Sequence, residues 1–264
     1  MSAENEIPVA LTIAGFDGSG GAGVLADCRT FERLGVYGTG VITGVVAQSP
    51  GTIAGIEVTS PGMFQAQLDE IISSYPVKAA KTGALLSLSE IEIAVVFFRE
   101  NPEISLVIDP VLIATAGDQL GHREIDWLFP AAELITPNIC EAETLLTGKI
   151  ETMADMESAA LKFYESYGCA CLLKGGHLDC CTEDMVDILC ENGEIEILAS
   201  PRLEIPELHG TGCTLSAAIT AGLAQGLSLR ESVIQARAKM HEWMKNFHAW
   251  SQPAVTHALN AIDE

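Results

Sequence analysis

The feature that most constrains this chain is a unit that recurs along it: a short, continuous apolar run closed by glycine, followed by a segment of helical period. Pro8 to Gly15 (PVALTIAG) is such a run and Phe16 to Gly23 (FDGSGGAG) a glycine-rich turn. VLADCRTFERLG then spaces Val24, Leu25, Cys28, Phe31 and Leu34 along one helix face before Gly35. An apolar run without polar alternation suits a strand covered on both faces, the situation inside a parallel sheet flanked by helices. The pattern returns in VKAAKTG (Val77 to Gly83) with LSEIEIAVVFFRENP, and its strand-like run recurs without the closing glycine in Ser105 to Ile108, before Asp109-Pro110, and in Ala132 to Ile135, before Thr136-Pro137-Asn138 and ICEAETLLTG; CACLLKGGH follows a helix starting near Glu151. Ile53 to Val58 reads as a further strand, followed by a helix with Pro61 in its first turn. Met185 to Cys190 and Ile195 to Leu198 bracket Glu191-Asn-Gly193, a hairpin signal, and LSLRESVIQARAKMHEWMKNFHAW is an amphipathic terminal helix. LIATAGDQLGHR lacks periodicity and reads as a mobile loop. The prediction is an α/β fold with a mainly parallel central sheet and helices on both faces. No repeat, low-complexity stretch or Pro/Ser linker divides the chain, so residues 1–264 are expected to form a single domain.

Charge narrows the function. Lys and Arg total 14 against 36 Asp and Glu, and a formal net charge of −22 repels nucleic acid and anionic membrane surfaces alike. The same charge repels a phosphorylated ligand, so a phosphate site in this chain has to rest on backbone amides, a divalent cation and a few embedded basic residues. The eight cysteines show neither C-x-x-C pairs nor framework spacing and read as reduced thiols. Cys169, Cys171, Cys180 and Cys181 lie close in sequence, but one pair shares a strand face and the other is adjacent, which argues against zinc. The N-terminus carries no signal-peptide pattern and no run reaches transmembrane length, so a cytoplasmic location is expected. His241, His248 and His257 read as surface residues without ligand spacing.

The chemistry concentrates in a few places. In LHGTGCTLSAAITAGLAQG, two glycines flank Thr211 at the mouth of a small-residue helix. A helix start presents unpaired N–H groups and a partial positive charge, and glycine lets an anion approach the backbone closely. An ordinary loop-to-helix junction reads the same way. Cys213 favours the anion hole, because a thiol at a helix N-terminus is expected to have a lowered pKa and to stand beside the anion as a proton acceptor. Asp109 falls at the C-terminal edge of a strand, where open α/β sheets bind ligands. Asn138 and Glu141, three apart at a helix start, either face one point or form a capping box. Lys174 ends a buried strand beside Gly175-Gly176 and either snorkels to solvent or contacts phosphate. Gly18, Gly20 and Gly23 satisfy G-x-G-x-x-G, but the next strand ends in Gln48 without the acidic residue a dinucleotide fold needs, and no P-loop motif occurs.

IAGFDGSGGAGVLADCRTF, VVAQSPG, the Lys81-Thr-Gly turn, VIDPVLIATAGDQL, ITPNICEAETL, LLKGGH and HGTGCTLSAAI, in that order, resemble the hydroxymethylpyrimidine/phosphomethylpyrimidine kinases of thiamine biosynthesis, within the ribokinase-like superfamily. The resemblance covers about Ile7 to Lys245 and is most specific in HGTGCTLSAA, where most of the superfamily carries Asp at the position of Cys213. It implies a ribokinase-like fold, ATP and Mg²⁺ as cofactors, a pyrimidine acceptor and a homodimer. Gly210, Thr211, Gly212 and Cys213 would surround the transferred phosphoryl, with Cys213 catalytic. Asn138 and Glu141 would help place Mg²⁺, while Lys174 and Asp109 would serve the nucleotide phosphates. Gly15, Asp27, Gln48, Ala84 and Val111 would line the acceptor pocket, Gln48 facing the ring's polar atoms. The chain departs from the family pattern at Phe16 and Gly18, where Ser and Pro are usual, at Thr82, usually Ile, and at Ala84, usually Met. A pyridoxal or pyridoxine kinase of the same superfamily and a non-catalytic nucleotide-binding regulator are the alternative readings.

Overall fold

The computed structural model describes residues 6–49, 52–112, 120–176, 184–206 and 208–249, and the backbone of 257–258. In chain order the strands of the main sheet are β1 (Val9–Asp17), β2 (Tyr37–Ser49), β3 (Thr52–Val58), β4 (Val77–Thr82), β5 (Ser105–Ile108), β6 (Leu134–Ile135), β7 (Ala170–Lys174), β8 (Asp184–Glu191) and β9 (Glu194–Pro201). They form one nine-stranded sheet in the order β3-β2-β1-β4-β5-β6-β7-β8-β9. Every pairing from β2 through β7 is parallel, and antiparallel strands close both edges. The β8–β9 hairpin turns through Asn192 and Gly193, both at positive φ (54° and 80°), the two-residue geometry that asparagine and glycine adopt with least strain.

The helices are α1 (Gly23–Arg33), α2 (Pro61–Ser74), α3 (Leu88–Glu100), α4 (Ile139–Leu146), α5 (Met153–Tyr167), α6 (Thr211–Ala224) and α7 (Leu229–Lys245). Successive strand residues point to opposite faces, and the two cores divide accordingly. Leu11, Ile13, Leu106, Ile108 and Leu173 pack with Phe64, Ile91, Phe129 and Phe163 from the α2, α3, α4 and α5 side. Ala10, Val107 and Leu172 pack with Phe31, Leu215, Ile219 and Val233 from the α1, α6 and α7 side. The expected α/β architecture with helices on both faces is therefore present. A 3-10 helix over Arg123–Ala131, with Pro130 inside it, is an element that the sequence pattern does not announce. The loop expected in LIATAGDQLGHR falls largely on 113–119, outside the described residues, as do Cys180 and Cys181.

The fold fixes where a ligand can bind. From β1 the chain runs through α1 on one face to β2, whereas β4, on the other side of β1, feeds α3 on the opposite face. Adjacent parallel strands whose following helices diverge to opposite faces leave a crevice at their C-terminal ends. Gly15, Lys81 to Ala84 and Asp109 all stand at that end, and α6 packs across β1, β4 and β5. Among the described residues no helix is long and apolar enough to cross a membrane.

Candidate active site

The mouth of α6 is built by interlocking glycines. Gly210, the N-cap, sits at φ 79°. A Cβ there would collide with the carbonyl of Gly21, one on Gly21 with the His209 ring, and one on Gly23 with the carbonyl of Gly15. The Phe16–Gly23 loop and the His209–Gly210 turn can approach this closely only because side chains are missing at those points. No side chain caps α6, so its first amides remain available. A methyl group at Gly212 would come within 3.3 Å of Lys174 Nζ and 3.7 Å of Asp109 Oδ2. The expected anion-hole residues and the expected phosphate residues thus meet at one point.

Lys174 and Asp109 are themselves paired, Nζ to Oδ1 at 3.1 Å, at the ends of β7 and β5. Thr136 Oγ1 donates to Asp109 Oδ1 (3.3 Å) and Ser216 Oγ, from α6, to Oδ2 (3.4 Å). Burial alone raises the Asp109 carboxyl, but Lys174 and then Lys81 overcome it and hold the group below the usual aspartate value. Burial likewise works against the Lys174 ammonium, and Asp109 and Glu141 more than restore it. Lys174 is held by Asp109 at the end of the sheet rather than extended to solvent.

Asn138 and Glu141 form the capping box. Glu141 N donates to Asn138 Oδ1 at 2.9 Å and Asn138 N to Glu141 Oε2 at 2.7 Å. That satisfies the cap and leaves Oε1 of Glu141 outside it. Burial pushes this carboxyl up to about 7, with Lys174 opposing and Asp109 reinforcing the rise. Among the described residues no three His, Cys, Asp or Glu form a metal cage. Asp109, Glu141 and Asn138 fit a Mg²⁺ carried largely by nucleotide phosphates and water, the usual mode for that ion.

Two expectations are corrected. Asp27 does not offer its carboxylate to a ligand: both of its oxygens lie 2.8 Å from Lys81 Nζ, Thr12 Oγ1 donates to Oδ2 at 2.6 Å, and neither member of the ion pair is exposed. Burial works to lower the Lys81 pKa, but Asp27, Cys213 and Asp109 together raise it above the usual lysine range. The Cys213 thiol, expected to be acidified by the helix start, is instead pushed up to about 11 by burial. Lys81 opposes this, whereas the Asp109 carboxylate at the end of β5 and the Asp27 carboxylate on α1 add to the effect of burial. Cys213 therefore rests as a thiol.

The remaining expected residues stand around this centre. Gln48, half-buried on β2, places its amide nitrogen 3.3 Å from His209 Nε2, and His209 Nε2 lies 3.1 Å from Asp17 Oδ2. Ala84 accepts a hydrogen bond from Thr43 Oγ1 at 2.9 Å, Val111 N donates to the Asp109 carbonyl at 2.8 Å, and Gly15 packs against Val46. Ala84 and Val111 make no side-chain bond to the α6 mouth among the described residues. Sequence reasoning passed over Lys81, His209 and Asp17. The argument that made Lys174 informative, a cation in an apolar strand of a very acidic chain, applies equally to Lys81 in VKAAKT. Of the histidines expected at the surface, His241 on α7 is half-buried with its Nε2 shielded from solvent, His248, beyond the end of α7, is exposed, and the side chain of His257 lies outside the described residues.

A family model described as phosphomethylpyrimidine kinase matches residues 17–256. The chain belongs to the phosphomethylpyrimidine kinase family. It is 40% identical over 240 residues to the hydroxymethylpyrimidine/phosphomethylpyrimidine kinase of Rhizobium meliloti, covering 88% of this chain and 89% of that one. It is also 40% identical over 232 residues to a thiamine biosynthesis bifunctional protein of Geobacter sulfurreducens, of which it spans about half (47%). Among solved structures, the ADP complex of Bacillus subtilis pyridoxal kinase superposes with a TM-score of 0.86 at 33% identity, covering 97% of this chain and 98% of that one. Phosphomethylpyrimidine kinase from Clostridium difficile superposes with a TM-score of 0.78 at 34% identity, covering 89% and 98%. The family and the ribokinase-like fold expected from HGTGCTLSAA and its companion segments are those found, and the chain is a kinase of that group.

Proposed function

We propose that this kinase transfers the γ-phosphoryl of ATP to hydroxymethylpyrimidine and then to its monophosphate, as a step of thiamine synthesis, in a cytoplasmic homodimer. The observation that carries the reading is the convergence of the uncapped α6 mouth, Gly210 to Cys213, with Lys174 and Asp109 at the C-terminal edge of the sheet. Phosphoryl transfer demands alignment and charge stabilisation more than covalent chemistry. The amides of Gly210 to Cys213 hold the transferred group, and Lys174 turns from Asp109 to the nucleotide phosphates when they arrive. Asn138, Glu141 and Asp109 would hold Mg²⁺, which would supply positive charge against the phosphates. Cys213 stands at the acceptor oxygen as a thiol; once its S–H proton has passed to water, the thiolate takes the hydroxyl proton and becomes a thiol again as the acceptor oxygen bonds to phosphorus. Lys81, locked on Asp27, supplies a fixed positive charge beneath Cys213. Gly15, Gln48, Ala84 and Val111 line the acceptor pocket, with Asp27 acting on it only through Lys81.

The close superposition on pyridoxal kinase, together with the smaller Ala84 and bulkier Phe16, favours a second acceptor class, a pyridine carrying a hydroxymethyl group. Mass spectrometry of products after incubation with Mg-ATP and hydroxymethylpyrimidine, its monophosphate, pyridoxal, pyridoxine or a sugar separates the readings. Turnover of both pyrimidines with the higher kcat/KM is expected. Faster turnover of pyridoxal would reverse the assignment, and absence of turnover with every acceptor would leave a nucleotide-binding regulator.

A further inference from the structure

His209 is buried, and its Nε2 faces two side chains at once, Asp17 Oδ2 at 3.1 Å and the Gln48 amide nitrogen at 3.3 Å. These demands conflict. A carboxylate oxygen can only accept a hydrogen bond and an amide nitrogen can only donate one, so a single ring nitrogen cannot satisfy both. Asp17 decides between them. Besides His209, its oxygens accept from Ser19 N (2.8 Å), Ser19 Oγ (2.9 Å) and Ala22 N (3.1 Å), all donors. Although burial raises this carboxyl, the bonds from His209 and Ser19 bring it below the ordinary aspartate value. Nε2 must therefore carry a proton and donate it to Asp17. An amide N–H cannot face that N–H, and because amide oxygen and nitrogen occupy nearly the same positions, turning the amide by 180° removes the clash.

We propose that His209 is a positioning residue, which through its bond to Asp17 holds the Gln48 amide with oxygen toward the ring and NH₂ toward the acceptor pocket. Gln48 then presents a donor, and the pocket selects a heteroaromatic ring that offers an unprotonated nitrogen or other lone pair at that point. No other side-chain bond of Gln48 exists among the described residues to fix its orientation. The inference rests on the placement of Gln48 in the acceptor pocket given above. It adds that His209, directly before the Gly210 cap, ties the orientation of the acceptor to the mouth that holds the phosphoryl group.

The test is a double-mutant cycle on the full chain, reading acceptor KM, ATP KM, kcat and melting temperature for His209→Ala, His209→Gln, Gln48→Ala and the Ala/Ala pair. His209→Ala is expected to raise acceptor KM roughly tenfold, the factor that about 1.4 kcal/mol corresponds to, with ATP KM within about twofold of wild type. In the Gln48→Ala background it should add nothing. His209→Gln, whose amide N–H reaches about as far as ring Nε2, should rescue most of the loss. Equal losses in the two backgrounds, or a parallel rise in ATP KM, would overturn the positioning role alone. An unchanged acceptor KM in Gln48→Ala would overturn the pocket placement and the inference with it. Nitrogen NMR of histidine-labelled wild-type protein reads the same point without any substitution: Nε2 of His209 is expected to be protonated at neutral pH, and a bare Nε2 would refute the relay.

Discussion

Lys81→Met offers the most direct test of how the buried charges are balanced. The substitution keeps an unbranched side chain of similar reach and deletes only the ammonium. Asp27, with no exposed surface, would keep a single side-chain donor, Thr12 Oγ1 at 2.6 Å. Breaking a buried pair by removing one member costs about 3–5 kcal/mol, because the other charge is stranded. For a domain of this size that corresponds to a melting-temperature loss of roughly 6–20 °C. The loss should depend on pH. Burial already raises the Asp27 carboxyl above its unfolded value, and removing Lys81, the first group that opposes the rise, lifts it further. A carboxyl whose folded pKa is raised contributes fully below its unfolded pKa and loses that contribution as pH rises through the folded pKa. Lys81→Met should therefore approach wild type in acid and fall away toward neutral pH.

Asp27→Asn should be milder, since Lys81 still has Asp109 and Cys213 as negative or ionisable neighbours. The double variant Asp27→Asn/Lys81→Met should recover most of the stability, as neutral replacements of a buried pair commonly do. Urea unfolding of the single and double variants at pH 5 and pH 8 measures all of this. A loss below about 1 kcal/mol in Lys81→Met, equal at the two pH values, would show that the charge of Asp27 is compensated elsewhere.

Lys174→Ala should reduce kcat/KM for ATP by about ten- to a thousandfold, equivalent to roughly 1.4–4 kcal/mol of charge stabilisation. It should also cost stability that Asp109→Asn restores without restoring the rate. The Cys213 thiol at about 11 predicts a chemical step that accelerates with pH through the neutral range. Cys213→Ala should be about a hundredfold slower without that slope and Cys213→Asp faster than the alanine variant, so an unchanged slope in Cys213→Ala would remove sulfur from proton transfer. Glu90, fully buried at the start of α3, is pushed up to about 7 by burial against bonds from Leu86 N and Ser87 N. Glu90 should therefore contribute a fall of about 1–3 kcal/mol in stability between pH 5 and pH 8, beside the contributions of Glu141 and Asp27, whose carboxyls are also raised, and denaturant titrations of Glu90→Gln should show a fall smaller by about that amount.

The fold was legible because its signals are local. Short runs closed by glycine such as PVALTIAG and VKAAKTG read as covered strands, and Asn192-Gly193 favours a tight turn. The mouth of α6 was legible for the same reason, glycines next to the start of a small-residue helix. Strand order and the charges across the site were not, because they depend on residues far apart in sequence. Asp27 and Lys81 are 54 residues apart and Asp17 and His209 are 192 apart. No spacing rule links either pair.

The reversal at Cys213 comes from the same non-local charges. A helix terminus acts like a fraction of a charge and fades within a turn. Against it stand burial and two whole carboxylates, Asp109 and Asp27, brought in by β5 and α1. The site tolerates that much negative charge because Lys81 and Lys174 each neutralise one carboxylate at rest. Lys81 is sealed and cannot leave Asp27, whereas the Lys174 side chain keeps 16% of its surface exposed and lies beside Gly212. In the proposed mechanism it is therefore Lys174 that would exchange its carboxylate for an arriving phosphate, and that exchange would leave Asp109 free to meet the cation that accompanies the nucleotide.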